Sequence, residues 1–300
     1  MTDRTFDYAS QRPLMFAIAY RMTGSVAEAD DIVQDAYLRI LRRDAVAVNA
    51  DAYATTITTR RAIDHLRSAR VRREQYVGQW LPEPRLGHSL VDPAEVVDQH
   101  ETVSIAFLVV LERLSPSERA AFVLREAFDY SYEQIADVIG KTPDNCRQLV
   151  TRARARIGAD TPRFEASPTA RDELTARFFA ACRDGDLAGL ERLLAQDVRF
   201  FGDGGGKAPA LAHPVQGRLR VARFVLGLIR RAGKEGASLR PAIVNGHPGA
   251  TVHTPDGTLY SVLSLHIADG QVVGLYNMLN PDKLLHLRRP QQPADRNIRY

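Results

Sequence analysis

Apolar residues recur at helical spacing through the first half of the chain, and strand-like runs replace that pattern in the last third. Between Phe6 and Arg73, and again between Val97 and Ile157, apolar positions three or four residues apart predict amphipathic helices. From Val198 onward, Gly, Pro and β-branched residues dominate, which is typical of strands joined by turns. The pattern predicts two all-α domains followed by an α+β domain.

The predicted α+β domain begins with two helices within residues 171–195 and contains a third within 217–231. Its predicted strands are the segments VRFFGDG, ASLRPAIVNG, GATVHT, GTLYSVLSLHIADG and QVVGLYNMLN, which begin at Val198, Ala237, Gly249, Gly257 and Gln271. Asp-Gly pairs in these segments favour tight turns. This order indicates helices packed against a curved antiparallel sheet.

Stretches rich in Pro and Gly divide the chain into domains. One surrounds Pro82 and Pro84, and another, DTPRFEASP, begins at Asp160. The predicted boundaries are residues 1–75 and 99–160 for the helical domains, 76–98 and 161–170 for the linkers, 171–288 for the α+β domain and 289–300 for a tail.

The segment from Tyr132 to Ile157 predicts a helix-turn-helix. Gly140 suits the tight turn, Thr142 is a suitable N-cap, and Pro143 suits the first helical position. The second helix would bury Cys146, Leu149, Val150, Ala153 and Ile157. The predicted DNA-binding residues are Thr142, Asp144, Asn145, Arg147, Gln148, Thr151, Arg152 and Arg154. A cationic, amide-bearing face suits a DNA major groove, and an ordinary solvated helix pair is the alternative.

Two helices before residue 75 have opposite charge. The first presents the acidic and polar residues Asp30, Asp31, Gln34 and Asp35. They predict a surface for a protein partner, with simple stabilisation of the helix N-terminus as the alternative. The second carries Arg60, Arg61, Arg67, Arg70, Arg72 and Arg73. Such a run favours phosphate contacts, although many basic runs are solvated faces, and two basic segments in separate domains imply two DNA sites.

Composition supports a folded cytoplasmic protein. The chain has 300 residues, of which 45% are hydrophobic, and a formal net charge of +4. Two cysteines, Cys146 and Cys182, indicate a reducing compartment. The apolar run near the N-terminus is too short to cross a bilayer and has no cleavage site, so neither a signal peptide nor a membrane association is predicted. A monomer is expected before any partner binds.

Three stretches in the first half resemble bacterial sigma factors of the extracytoplasmic-function group. They are GSVAEADDIVQDAYLRILRR, AIDHLRSARVRRE and LERLSPSERAAFVLREAFDYSYEQIADVIGKTPDNCRQLVTRARARI, which begin at Gly24, Ala62 and Leu111. The resemblance implies that the acidic helix binds core RNA polymerase, that the basic helix binds the promoter's minus-ten element and that the helix-turn-helix binds the minus-thirty-five element. Arg60 departs from the family pattern, since many relatives have there an Asn that lines the pocket for a flipped base.

Three further motifs resemble the subgroup with a fused C-terminal SnoaL-like domain, a cone-shaped α+β fold that is thought to regulate the sigma factor in cis. The motifs are WLPEP, DGGGK and NPDKL. The predicted regulatory residues are Trp80, Leu81, Pro82, Asp203, Gly204, Gly205, Gly206, Lys207, Asn280, Pro281, Asp282 and Lys283. We expect Trp80 to anchor either on a neighbouring domain or on its own helical domain. We expect the DGGGK loop to dock on the first domain, and the exposed Asp282 and Lys283 to contact the linker or the second helical domain.

The predicted function is a transcription initiation factor that binds core RNA polymerase and promoter DNA. The alternative is a stand-alone helix-turn-helix regulator with a C-terminal domain that senses a small molecule. A third hypothesis, a cone-fold enzyme, needs inward-pointing groups such as His253 and His266. No catalytic constellation, metal motif or cofactor motif is recognisable, so we predict no enzyme, no metal and no cofactor. A pocket ligand of unknown identity is left open.

Overall fold

The computed structural model of the protein describes residues 7–42, 50–74, 76–87, 103–158 and 168–288. The first part contains helices α1 (Tyr8–Thr23), α2 (Val26–Leu41), α3 (Ala50–Glu74), α4 (Ile105–Leu111), α5 (Pro116–Phe128), α6 (Tyr132–Ile139) and α7 (Pro143–Ile157). The second part contains α8 (Pro168–Asp184), α9 (Leu187–Leu193), β1 (Leu194–Asp203), β2 (Val215–Gln216), α10 (Arg218–Lys234), β3 (Ser238–Val244), β4 (His247–His253), β5 (Leu259–Ala268), β6 (Gln271–Met278), a 3-10 turn (Asp282–Leu284) and α11 (Leu285–Arg288). The predicted fold class, helical units followed by an α+β domain, is confirmed.

The two helical units share one hydrophobic core. Ile18 of α1, Leu66 of α3 and Leu124 of α5 belong to the same cluster of buried side chains. The buried Arg119 of α5 donates a hydrogen bond of 2.6 Å to the carbonyl of Met22 near the end of α1. Burial of apolar surface is the main stabilising term in such a contact, so the helix-turn-helix is held firmly against the first three helices.

Within the described residues the C-terminal part has a six-stranded sheet in the order β2-β1-β6-β5-β4-β3. The pairs β3–β4, β4–β5 and β5–β6 are antiparallel, and β1 pairs with β6 in parallel. The predicted antiparallel sheet is therefore found in every described pair except β1–β6, which is parallel. Short turns force neighbouring strands to be antiparallel, but the long connection between β1 and β6 imposes no direction.

The sheet is covered on both faces. Alternate residues of a strand point to opposite faces, and Leu265 and Leu275 pack with α8, α9 and α10. On the other face, Val262 and Met278 pack with Ile105 of α4 and with residues 76–87, here called the linker. One sheet therefore closes the C-terminal core and also holds the segment that connects α3 to α4.

Candidate functional site

The helix-turn-helix presents its predicted DNA-binding side chains to solvent. Gly140 ends α6 with φ of 68°, and the Thr142 hydroxyl accepts a hydrogen bond from the amide of Asn145 at 3.3 Å to begin α7. The exposed residues are Thr142, Asp144, Arg147, Gln148, Thr151, Arg152 and Arg154, and Asn145 is half-buried. The predicted apolar stripe of α7 is buried. An exposed cationic face above a buried stripe suits entry into a major groove.

Two arginines of this face form ion pairs within the chain. Arg147 lies 2.7 Å from Asp144, and Arg154 lies 2.7 Å from Glu126. Both arginine side chains are more than half exposed, so each pair contributes only about 0–1 kcal/mol. Such weak pairs can exchange for phosphate contacts at little cost.

The residues predicted to bind polymerase lie on α2 and differ in accessibility. Asp31 and Gln34 are exposed. Asp30 is paired with Arg12 at 2.8 Å, and Asp35 forms an ion pair with Arg61 of α3. The contact between Asp35 and Arg61 was not predicted, because Asp35 was expected to bind polymerase and Arg61 to bind DNA.

Arg60 contacts the helix-turn-helix. Its Nε donates to the carbonyl of Val138 and its Nη2 to the carbonyl of Asp137, both at 2.8 Å. These carbonyls belong to the last turn of α6, where a helix leaves acceptors unsatisfied and its dipole favours a cation. The guanidinium of Arg60, which belongs to α3, therefore caps the C-terminus of α6.

The rest of the basic helix is less constrained. Arg67 lies 3.6 Å from Asp64, and both side chains are mostly exposed. Arg70, Arg72 and Arg73 fall on α3, but their side chains lie outside the described residues.

Trp80 lies between the first helical unit and the C-terminal domain. A Cβ added at Gly24, which has φ of 68° at the end of α1, would come within 2.8 Å of the indole ring. The ammonium of Lys283 lies 4.2 Å from the ring centroid, a cation–π distance. The ring therefore contacts both the first helical unit and the C-terminal domain, rather than only one of the two.

Glu83 of the linker caps α2. Its Oε2 accepts hydrogen bonds from the amides of Val26 at 2.7 Å and Ala27 at 3.2 Å, and its Oε1 accepts one from the Ser25 hydroxyl at 2.8 Å. Its own amide donates to the carbonyl of Gly24 at 2.8 Å. A carboxylate at a helix N-terminus is favoured by the free amides and by the dipole. The linker is thus fixed to the helix that carries the predicted polymerase-binding residues.

Asp203, at the end of β1, is fully buried and joins the linker to the C-terminal domain. Its carboxylate accepts hydrogen bonds from the Tyr76 hydroxyl at 2.6 Å, from the Leu81 amide at 2.8 Å and from the Lys283 ammonium at 2.8 Å. Asn280 donates from its side chain to the Tyr76 oxygen at 2.8 Å. These five residues are called the Asp203 cluster below. Burial, together with Asp203, raises the pKa of the Tyr76 phenol, so its proton stays in place to donate.

Lys283 is buried, and the prediction that it is exposed was wrong. Its ammonium donates to the carbonyl of Leu81 at 2.6 Å as well as to Asp203. A lysine is rarely buried unless it is paired, and here a carboxylate and a carbonyl satisfy it. Asp282 is exposed as predicted and forms an ion pair with Lys207, which is also exposed.

The DGGGK loop packs on the linker rather than on the first helical unit. A Cβ added at Gly205 would lie 3.0 Å from the Tyr76 hydroxyl oxygen, and one at Gly206 would lie 3.3 Å from the Val77 side chain. Gly205 and Gly206 also have positive φ, at 57° and 72°. Glycine is therefore required at both positions for the loop to approach the linker this closely. Of the other predicted regulatory residues, Gly204, Leu81 and Pro82 are buried, and Pro281 lies just before the 3-10 turn.

A second polar connection was not predicted. Asn245, in the turn after β3, donates from its side chain to the Tyr20 oxygen and to the carbonyl of Val103, each at 2.9 Å. The Tyr20 hydroxyl donates to the carbonyl of Glu83 at 2.6 Å, and the amide of Arg85 donates to the Asn245 Oδ1 at 2.9 Å. Asn245 therefore joins α1, the linker and the segment before α4.

The C-terminal domain contains a cavity of about 320 Å³ between α8, α10 and the sheet. His253 and His266 are not among its lining residues, so they do not point inward. His253 contacts the Thr251 hydroxyl at 3.0 Å. Cys182 does line the cavity, and burial raises the pKa of its thiol to about 12. A thiol that stays protonated is a poor nucleophile.

The described part of the chain contains no group of His, Cys, Asp and Glu side chains that could hold a metal ion. No helix within it combines the length and the apolar character needed to cross a bilayer.

Two models of sigma-70 factors match the chain, region 2 over residues 8–72 and region 4 over residues 104–157. The chain is 40% identical to the extracytoplasmic-function (ECF) RNA polymerase sigma factor SigJ of Mycobacterium tuberculosis over 92% of each chain. It is 32% identical to the probable ECF RNA polymerase sigma factor SigI of the same species over 94% of each. The crystal structure of the M. tuberculosis SigJ superimposes with a TM-score of 0.75 at 36% identity, covering 92% of this chain and 96% of that one.

These similarities define the class: the chain has the two conserved regions of a sigma factor and a C-terminal α+β domain. Within that class, the protein belongs to the ECF RNA polymerase sigma factors. It is therefore a transcription initiation factor, and the alternative of a stand-alone regulator is not supported.

Proposed function

We propose that this protein binds core RNA polymerase, directs it to a two-part promoter and is restrained in cis by its C-terminal domain. The main support for this proposal is the burial of Asp203 against the linker, because this contact joins the C-terminal domain to the segment between the two sigma regions. The proposed domains are residues 1–75, 99–160 and 171–288, joined by linkers 76–98 and 161–170.

The proposed binding roles follow the accessible faces. Asp31 and Gln34, with Asp30 and Asp35 beside them, contact polymerase. The exposed face of α7 reads the minus-thirty-five element, with Arg147 and Arg152 as its principal contacts. Phosphates of the minus-ten element contact α3, where Arg60, Arg61, Arg67, Arg70, Arg72 and Arg73 supply the positive charge. The exposed position of the α7 arginines supports this assignment.

Restraint in cis has a physical basis in contacts that the free protein already makes. The Arg60 guanidinium is engaged by two carbonyls of α6, and Arg61 is engaged by Asp35. Promoter DNA must displace both. Trp80 and Glu83 hold the linker on α1 and α2, so separating the sigma regions requires the linker to release.

Further proposals concern the compartment, the oligomeric state, catalysis and the ligand of the cavity. The protein acts in the cytoplasm as a monomer until it binds polymerase, and it catalyses no reaction of its own. The cavity of the C-terminal domain binds a small molecule.

Run-off transcription with core RNA polymerase tests the proposal. The template carries DNA from upstream of the protein's own gene, and the full chain is compared with Lys283→Met and with the matched control Lys207→Met. We expect transcripts that require the protein, a larger yield from Lys283→Met at limiting factor, and the parent's yield from Lys207→Met. Equal yields from all three would disprove restraint through the Asp203 cluster. Tight binding to the DNA without any factor-dependent transcript would disprove the sigma function.

A further inference from the structure

We propose that the outer face of α10 binds the phosphate backbone of duplex DNA and so gives the C-terminal domain a DNA contact of its own. This contact is additional to the promoter contacts proposed for the sigma regions. The choice of DNA as the partner rests on the proposed function, whereas the binding itself can be measured without polymerase.

The charge of α10 differs from that of the rest of the chain. Its 17 residues contain no carboxylate and six cations, which are Arg218, Arg220, Arg223, Arg230, Arg231 and Lys234. The whole chain of 300 residues has a formal net charge of only +4. Outside α10 the chain therefore has more carboxylates than cations, and its excess of positive charge is concentrated on this one helix.

Four of these cations follow the outer side of the helix. They are Arg220, Arg223, Arg230 and Lys234, here called the α10 stripe, and all four are exposed. Their helical spacing places them opposite the face that buries Val221 and Val225 in the core. At 1.5 Å per residue, the stripe is about 20 Å long.

The α10 stripe has no counter-charge among the residues that the structure describes. None of its four side chains forms an ion pair with a described carboxylate. Glu235, which follows the helix, is paired with Arg231 at 2.8 Å. Neighbouring cations without counter-charges repel one another, and a bound polyanion removes that repulsion.

A glycine lies at the centre of the stripe. Gly227 is on the same side of α10 as Arg223 and Arg230, and a Cβ added there would meet nothing within 4 Å outside the helix's own backbone. Packing therefore does not require glycine at this position, although glycine lowers the stability of a helix interior. The missing side chain leaves room for a close approach from outside the chain.

The chemistry of the stripe favours DNA over a membrane or a protein. Membrane-surface helices insert an apolar face, but that of α10 is buried against the sheet. The centres of protein interfaces are enriched in aromatic residues and poor in charge, and the aromatic residue of α10, Phe224, packs against Phe200. Three of the four side chains are arginines, which match phosphate oxygens in pairs. Because duplex DNA has one charge per about 1.7 Å of its axis, a stripe of this length can reach several phosphates.

The stripe is accessible while the Asp203 cluster is formed. Helix α10 packs on one face of the sheet, and the linker and α4 pack on the other. The free full chain can therefore be used to measure the contact, with no need to release the C-terminal domain first.

The salt dependence of DNA binding tests the proposal. The full chain is titrated, without polymerase, into a labelled duplex of arbitrary sequence at salt concentrations from about 50 to about 200 mM, and anisotropy gives the affinity. The stripe variant combines Arg220→Gln, Arg223→Gln and Arg230→Gln. The control variant has the same change of charge at exposed arginines outside α10, and combines Arg177→Gln, Arg183→Gln and Arg240→Gln. Gln is a good helix former, so both variants should fold.

The sigma regions are the same in all three proteins, so differences between them report on the C-terminal domain. We expect the slope of log affinity against log salt concentration to be smaller by about 2–3 in the stripe variant and by less than about 1 in the control. Equal slopes for the parent and the stripe variant, or equal losses in both variants, would overturn the proposal. If the DNA slopes are equal and polymerase affinity falls only in the stripe variant, the partner is an acidic protein surface instead.

A second variant keeps every charge. Gly227→Gln places a neutral side chain between Arg223 and Arg230 and introduces a better helix former, so the Tm should not fall. We expect its DNA affinity to drop at least about threefold, which is less than the loss of one whole phosphate contact. Unchanged affinity would overturn the close approach at Gly227. Failure of the proposed function would be seen separately, in run-off transcription, because the DNA titration contains no polymerase.

Discussion

Replacing Lys283 with Met should open the contact between the linker and the C-terminal domain. The substitution removes the ammonium that bonds to the Asp203 carboxylate and to the Leu81 carbonyl, and it removes the cation above the Trp80 ring. Methionine keeps most of the length and apolar character of the lysine stem. The carboxylate stays buried, with the Tyr76 hydroxyl and the Leu81 amide as its remaining donors.

The size of the effect follows from the burial. Removing one partner of a buried ion pair destabilises a protein by about 3–5 kcal/mol, because the other charge is left without compensation. Asp203 is 0% exposed and Lys283 is 8% exposed. Two neutral donors still bond to the carboxylate, so we take the lower end of the range. A change of ~3 kcal/mol raises the equilibrium constant for opening by a factor of ~10².

Hydrogen exchange at the Leu81 amide measures that opening directly, and the emission of the single tryptophan, Trp80, provides a second signal. The control is Lys207→Met, which breaks the exposed pair with Asp282 and should change opening by less than about 1 kcal/mol. If exchange at Leu81 is as slow in the Lys283 variant as in the control, the buried pair does not hold the linker.

Three further predictions address the other contacts. Arg60→Gln should lower the free energy of unfolding by about 1–3 kcal/mol, because two carbonyls of α6 lose a charged donor. Urea denaturation measures this loss, and the control Arg67→Gln, at an exposed position, should show no comparable loss. Arg147→Ala and Arg152→Ala should weaken promoter binding, and at least one should change base preference at the minus-thirty-five element; equal losses on all sequences would limit both to phosphate contacts. The pKa of Tyr76 in the folded protein is raised above the unfolded value of about 10, so the stabilisation from its hydroxyl is present below pH ~10. That stabilisation is lost as the pH rises further, by up to about 1.4 kcal/mol per pH unit. Tyr76→Phe should remove this part of the alkaline loss of stability in denaturation curves.

Features encoded within a few residues were predictable. The buried stripe of α7 and its Thr142 cap follow from helical periodicity and from the preference for a hydroxyl at the N-cap. The strands of the C-terminal domain were recognisable from β-branched runs, with the exception of β2, which has only two residues. Such signals do not depend on how distant parts of the chain pack.

Features that depend on distant residues were not predictable. Glu83 caps a helix that begins 57 residues earlier, and Lys283 meets a carboxylate 80 residues away. Neither residue lies in a local pattern that distinguishes it from a solvated charge. Asn245 reaches Tyr20 across 225 residues, and only the assembled fold brings them together. The resemblance identified the motifs that meet, but it did not show which atoms of those motifs form the contact.

The free protein satisfies internally several groups that its proposed partners would use. Arg60 bonds to α6 and Arg61 to Asp35, so DNA and polymerase must compete with contacts that the chain already makes. A partner shifts such an equilibrium only by the difference between its affinities for the two arrangements. The exposed pairs contribute little to this difference, whereas the buried pair of Asp203 and Lys283 contributes more than any of them. We therefore expect the strength of the proposed restraint to be set mainly at the C-terminal domain, far from the residues proposed to contact the promoter.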